Sequence, residues 1–297
     1  MTAAAAAPRK PTGAAVNIPP RRMDFEFDGK TPRYWYDNDA YLSLFWATLS
    51  GLFPEGERFF VESVRHYRDQ ITDPVLKAQI AGFIGQEAMH TKEHETINAA
   101  MTRQGIDIQR IDRQLNPVLK FVRKVTTKRM QLAATCALEH FTATIAEQLL
   151  RDPDHAAKGE PEIMGLWLWH ALEENEHKTV AYDVYQKVGG NYPERAVVMV
   201  AATVLFIGLT HMWHTQLLAK EGKLLDFRGN WKGITYLWGR NGLFTRLAPQ
   251  YFDYYKPSFH PNDHDTRALL EEWREKLFGE NGLLRDQVKA PNGKPLH

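Results

Sequence analysis

A glutamate and a histidine three residues apart on a helix share one face, about 60° apart around the axis. Such a pair offers a metal ion one carboxylate and one imidazole. This spacing occurs twice, at Glu87–His90 in "QEAMHTKEH" and at Glu174–His177 in "HALEENEH". One such pair is expected by chance in a chain of this length. Two of them on separate long helices can converge in a bundle core and hold two metal ions, given one further glutamate from each of two other helices. Glu57, in "FPEGERFFVESVR", supplies one, because its neighbours Phe60, Val61 and Val64 make an apolar face. Glu139, in "LAATCALEHFTATIAEQLL", supplies the other. It lies among Thr135, Cys136, Thr142, Ala143 and Ala146, a small uncharged face with room for oxygen or substrate. His170, one turn before Glu174, falls on the same stripe and offers a third imidazole.

Four carboxylates and three imidazoles facing one core need compensation, since burying a single unpaired charge costs on the order of several kcal/mol. No lysine or arginine cluster lies on these faces, and two metal cations would serve instead. Around this set, His94 reads as an outer residue that supports a ligand rather than as a ligand. Asp183 either orients a ligand histidine or is a polar residue at the helix end. Thr142 and Thr135 either line an oxygen pocket or bond back to their own helix. His140 points about 100° away from Glu139. Glu173 and Glu176 flank the stripe as solvated or paired groups, Trp167 and Trp169 read as core, and His260 and His264 read as loop residues.

The elements that must position these groups are helical throughout, because strand and hairpin signals are scarce. The periodicity predicts a short helix at 39–51, then long helices at 54–71, 74–102, 116–150 and 160–187. Pro54 and Pro117 sit at expected helix starts, and Thr72 or Asp73 caps the second long helix. An apolar helix follows at 192–221 and a C-terminal helix at 264–278. Residues 1–35 read as a flexible tail, 36–285 as a single helical domain and 286–297 as a second flexible tail. The stretch 196–219 carries no Asp, Glu, Lys or Arg and is long enough to cross a bilayer. A bundle helix that is buried or touches a membrane is the preferred reading, with His211 and His214 as core or pocket residues.

The 297 residues carry a net charge of +1, so there is no global electrostatic case for nucleic acid. Cys136 is the single cysteine, which excludes an intrachain disulfide and a thiolate cluster and fits a reducing compartment. A metal must then be held by His and Glu, which favours iron, with manganese or zinc as alternatives.

The order Glu57, Glu87-x-x-His90, Glu139, Glu174-x-x-His177 resembles the ferritin-like dimetal carboxylate proteins over 54–185. The additional His170 resembles the arylamine N-oxygenases and related diiron oxygenases. The strings "GERFF", "QEAMHTKEH" and "WHALEENEHKTVAYDVY" are similar to a bacterial family called predicted metal-dependent hydrolase, as far as "YKPSFHPND" at 255–263. The resemblance implies an all-α, ferritin-like four-helix bundle with added helices at both ends. It further implies an enzyme that uses two irons and O₂ to oxidise or oxygenate a small organic substrate, with hydrolysis or non-catalytic metal binding as alternatives. Glu87 and Glu174 would bridge, Glu57 and Glu139 would be terminal, and His90, His170 and His177 would be the nitrogen ligands. An external electron donor, a homodimer and a cytoplasmic location, with membrane contact through 196–219, complete the expectation.

Overall fold

The computed structural model describes residues 12–27, 31–152 and 154–289. Regular structure in them is helical, with one isolated bridge between Tyr36 and Gly159. The fold is all-α, as the periodicity predicts. Helices α1 (Ala40–Tyr67), α2 (Pro74–Arg103), α4 (Lys128–Arg151) and α5 (Pro161–His177) pack around one another as the central bundle. Helix α3 (Gln109–Val125) lies on α1, and α6 (Val180–Lys187) continues beyond α5 against α4 and α2. Helix α7 (Tyr192–Lys220) covers α1 and α4, while α8 (Phe227–Trp238), α9 (Leu243–Asp253) and α10 (Arg267–Phe278) pack outside.

Three helix boundaries differ from expectation. Pro54 does not begin a helix; it lies inside α1, which runs on from the short helix expected at 39–51. Proline removes the bond to the carbonyl four residues back, here that of Ser50. The Asn98 side-chain amide donates to that carbonyl at 2.8 Å, so the helix continues without an orphaned acceptor. The single helix expected at 116–150 is two, because Thr126 is extended and Thr127 caps α4 by accepting from Met130 N–H. The helix expected at 160–187 is interrupted at Lys178 and Thr179. Helices α8 and α9 fall where no helix is expected. Asp73 caps α2 as predicted, accepting from Val75 N–H.

The expected N-terminal tail is also corrected where it is described. Ile18, Met23 and Phe25 are buried, and Ile18 and Pro20 cross α2 over two glycines. A Cβ at Gly82 would lie 2.5 Å from the Ile18 carbonyl oxygen, and one at Gly85 would lie 2.5 Å from Pro20. Residues 1–11 and 28–30 lie outside the described residues. At the other end Val288 is buried and Lys289 N–H donates to Arg22 C=O, so the expected C-terminal tail is packed as far as it is described. Its remainder, 290–297, lies outside.

Helix α7 is long and apolar enough to cross a membrane. It nevertheless packs one side on the bundle, where His214 Nε2 donates to Tyr41 C=O at 2.9 Å. His140 likewise donates to Gln250 C=O, and His155 meets the Tyr36 hydroxyl. Burial pushes all three imidazoles down to about 4. The native state therefore binds fewer protons than the unfolded chain below about pH 6.5. This contribution to stability is complete above the unfolded pKa and is lost as pH falls towards the folded one, up to about 3 kcal/mol per histidine. The melting midpoint should hold near neutral pH and fall steadily below about pH 6; a midpoint unchanged at about pH 4.5 would contradict this.

Candidate metal centre

The bundle interior collects all seven expected ligands. Glu57 comes from α1, Glu87 and His90 from α2, Glu139 from α4, and His170, Glu174 and His177 from α5. All are buried. Their donor atoms form three overlapping groups, each within 4.8 Å: Glu57 with His90 and His170; Glu87 with His90 and Glu174; and Glu87 with Glu139 and His177. Glu174 Oε1 lies 2.8 Å from His170 Nε2, 3.5 Å from His90 Nδ1 and 3.7 Å from His177 Nε2. His177 Nε2 is also 3.2 Å from Glu87 and 3.4 Å from Glu139.

The partners outside this set fix which imidazole nitrogens carry protons. The Ser50 carbonyl can only accept, so the Asn98 NH₂ faces it and Asn98 Oδ1 accepts from the Ser50 hydroxyl at 2.7 Å. That hydroxyl has one proton. It must therefore accept from His94 Nδ1–H, 2.8 Å away. Burial, and then neighbouring His170, hold the His94 pKa well below the usual histidine range, so His94 is neutral with a bare Nε2. That nitrogen accepts from His170 Nδ1–H at 2.7 Å, which leaves His170 Nε2 bare and aimed at Glu174.

The same logic holds twice more. Gln86 spends its NH₂ on Pro19 C=O and Glu176, so its Oε1 accepts from His177 Nδ1–H at 2.9 Å. His177 Nε2 is then bare among three carboxylates. His90 Nε2–H donates to Glu173 at 3.1 Å, leaving Nδ1 bare beside Glu174. Three lone pairs directed at carboxylate oxygens repel them unless cations stand between, and this is the arrangement of a metal-ligating imidazole pinned from behind.

The carboxylates carry the same signature. Both oxygens of Glu87, both of Glu139, Glu57 Oε1 and Glu174 Oε2 are buried without a hydrogen-bond partner. Burial, and then mutual repulsion, raise Glu57 and Glu87 well above the carboxylate range. Burial also pushes Glu139 up to about 7. Burial works on Glu174 in the same direction, but His170 and His177 outweigh it and hold that group well below the usual range. The donor set and its orphaned atoms fit a pair of metal ions, with two histidines at one end and one at the other.

Of the outer candidates, His94 touches His170 as described. His94→Phe removes the acceptor that orients His170, and metal affinity should fall about 10- to 100-fold with the fold retained. Competition against a chelator measures this, and unchanged affinity would show that His170 needs no support. Thr142 donates to its own-helix Glu139 C=O at 3.2 Å, and its side chain also walls a cavity beside the site. Asp183 is a correction: it meets His260 at 3.1 Å on a partly exposed surface. The break at Lys178 and Thr179 rotates α6 away from the ligand stripe.

Sequence reasoning missed Gln86, Ser50 and Asn98, and left open whether Glu173 and Glu176 are paired. Both are buried and paired with Arg21, from the segment read as tail: Arg21 meets each at 2.8 Å. Arg274 also binds Glu176, at 2.8 Å.

Three cavities adjoin the centre. A small one of about 30 Å³ touches His170 and Glu174 and is otherwise walled mainly by Leu49, Phe53, Ile145, Leu149, Trp167 and Phe206. Larger ones of about 420 Å³ and about 250 Å³ lie on either side, and Phe206 of α7 is a wall of all three.

A family model described as "predicted metal-dependent hydrolase" matches residues 19–265. No curated protein and no solved structure matches the chain.

Proposed function

We propose that this chain, which belongs to the predicted metal-dependent hydrolase family, is a ferritin-like dimetal carboxylate oxidase or oxygenase acting on a small apolar substrate. The observation that carries this reading is the space beside Glu174 and His170. Its walls are aliphatic and aromatic, with the Thr142 side chain as the polar exception. A hydrolase must orient a carbonyl or phosphoryl group and stabilise developing oxyanion charge with placed donors. Those donors are missing from this wall among the described residues. A C–H or amine substrate needs an apolar, water-poor pocket instead.

Bound iron would supply the oxygen and electron chemistry, with an external donor completing the cycle. In this reading Glu87 and Glu174 lie between the two ions, while Glu57 and Glu139 serve one each. The Thr91 hydroxyl holds Glu57 Oε2 at 2.8 Å, leaving Oε1 for metal. His94, Gln86 and Glu173 keep the three imidazoles in the ligating tautomer, and Phe53 and Trp167 exclude water from the His170 end.

The family description favours hydrolysis, with the same residues holding ions that activate water. Anaerobic loading with Fe(II), followed by O₂, separates the two. Oxygen uptake with conversion of both irons to the ferric state, read by Mössbauer spectroscopy, is expected. A zinc-loaded protein active on esters or phosphates, with an iron-loaded form inert to O₂, would overturn the oxidative reading.

A further inference from the structure

We propose that the α7–α8 face docks on an anionic lipid bilayer and holds the mouth of the 420 Å³ cavity against it. Helix α7 exposes Val197, Val200, Val204 and Ile207 at helical spacing along one stripe. Helix α8 does the same with Phe227, Trp231, Ile234 and Trp238, exposed by 77%, 67%, 38% and 52%. A surface helix ordinarily turns such a stripe inward; the buried positions of α8 are only Gly233 and Leu237. Contiguous apolar surface of this kind marks an interaction site.

Charge selects the occupant. Residues 219–246 carry Lys220, Lys223, Arg228, Lys232, Arg240 and Arg246 against Glu221 and Asp226. Glu221 is bound by Arg33, and Asp226 caps α8 by accepting from Gly229 N–H. Lys232 and Arg246 have acidic partners, Asp37 and Asp152. Arg228 and Arg240 are exposed with no ion pair among the described residues. Tryptophan beside lysine and arginine on an apolar face is the composition of a helix lying in the headgroup boundary. A second copy fits poorly, because a two-fold interface sets each patch against itself and would oppose like charges. A bilayer span also fits poorly. Helix α7 is bound to the bundle through buried Arg195, which donates to the Tyr254 and Lys256 carbonyls, and through His214.

The cavity gives the docking a purpose. Ile207, His211 and Trp238 stand at its exposed rim, and it reaches inward to Leu49 and Phe206. Those two also wall the space beside His170 and Glu174. Resting on the site reading above, the substrate class is then an apolar, lipid-borne molecule that enters from the membrane side past Phe206.

Flotation of the full-length, metal-loaded protein tests the docking without turnover, so its failure is distinct from failure of the redox assignment. Vesicles of phosphatidylcholine are compared with vesicles containing phosphatidylglycerol. Binding to the anionic vesicles, weakening as salt rises, is expected. Quenching by brominated lipid should be smaller in Trp231→Ser than in the unaltered chain. Phe227→Ser with Trp231→Ser should lower binding about tenfold or more while far-UV circular dichroism is unchanged; neither side chain lines the cavity. Absence of binding to anionic vesicles overturns the proposal. Self-association abolished by the same substitutions would also overturn it and assign the face to a second copy.

Discussion

Glu87→Ala is expected to reduce bound metal from a pair of ions per chain to one or none. Glu87 belongs to two of the three donor groups, with His90 and Glu174 on one side and Glu139 and His177 on the other. Neither of its oxygens has a hydrogen-bond partner. Removing it therefore removes a ligand and leaves no other contact broken. Metal analysis by plasma mass spectrometry reads the stoichiometry directly, and full retention of two ions would refute the assignment. A second readout has the opposite sign in the two forms. Without metal, Glu87 is a buried carboxylate repelled by Glu139 and Glu174, so its loss should stabilise the metal-free chain by about 1–4 kcal/mol. With metal, the stabilisation that binding confers on the native state is reduced, and the variant should melt below the unaltered chain. A residue of purely structural importance would destabilise both.

The ligand set was legible because metal chemistry restricts residue type and the helical period fixes spacing. Glu57 was separable from Glu55 and Glu62 by the apolar character of Phe60, Val61 and Val64. The residues that pin the imidazoles were not legible. Ser50, Asn98 and Gln86 are common polar residues that reach their histidines across helix pairs, and no local pattern marks them. Asp183 misled because a uniform helical rotation was carried through Lys178 and Thr179, where the helix breaks. At 126–127 a threonine cap was present in the sequence, but Asn116 and Pro117 offered a competing start; Pro117 lies inside α3 instead. Pro54 misled for a related reason. Its cost is local, while the compensating amide comes from Asn98 on another helix.

Arg21 shows why composition misjudged the N-terminal segment, and replacing it should have the largest effect on stability. The segment around it is rich in alanine, proline and basic residues, which reads as a solvated tail. In the fold the Arg21 side chain is 11% exposed and meets Glu173 and Glu176, both 0% exposed, while packing 4.8 Å from the centre of the Phe278 ring. Arg21→Met preserves much of the packing volume but leaves Glu173 buried with His90 as its remaining hydrogen-bond partner. Removing one member of a buried pair costs about 3–5 kcal/mol, because the other charge stays uncompensated. The melting midpoint should fall by about 10 °C. Glu176 suffers less, since Arg274 and Gln86 still bind it. If the loss arises from Glu173, adding Glu173→Gln to Arg21→Met should recover more than half of it. The amide removes the stranded charge and still accepts from His90 Nε2–H, so the ligating tautomer survives. A single variant that melts like the unaltered chain would mean that the crossing over Gly82 and Gly85 contributes nothing through this arginine. A double variant that melts no higher than the single would place the cost in packing against Phe278 rather than in charge.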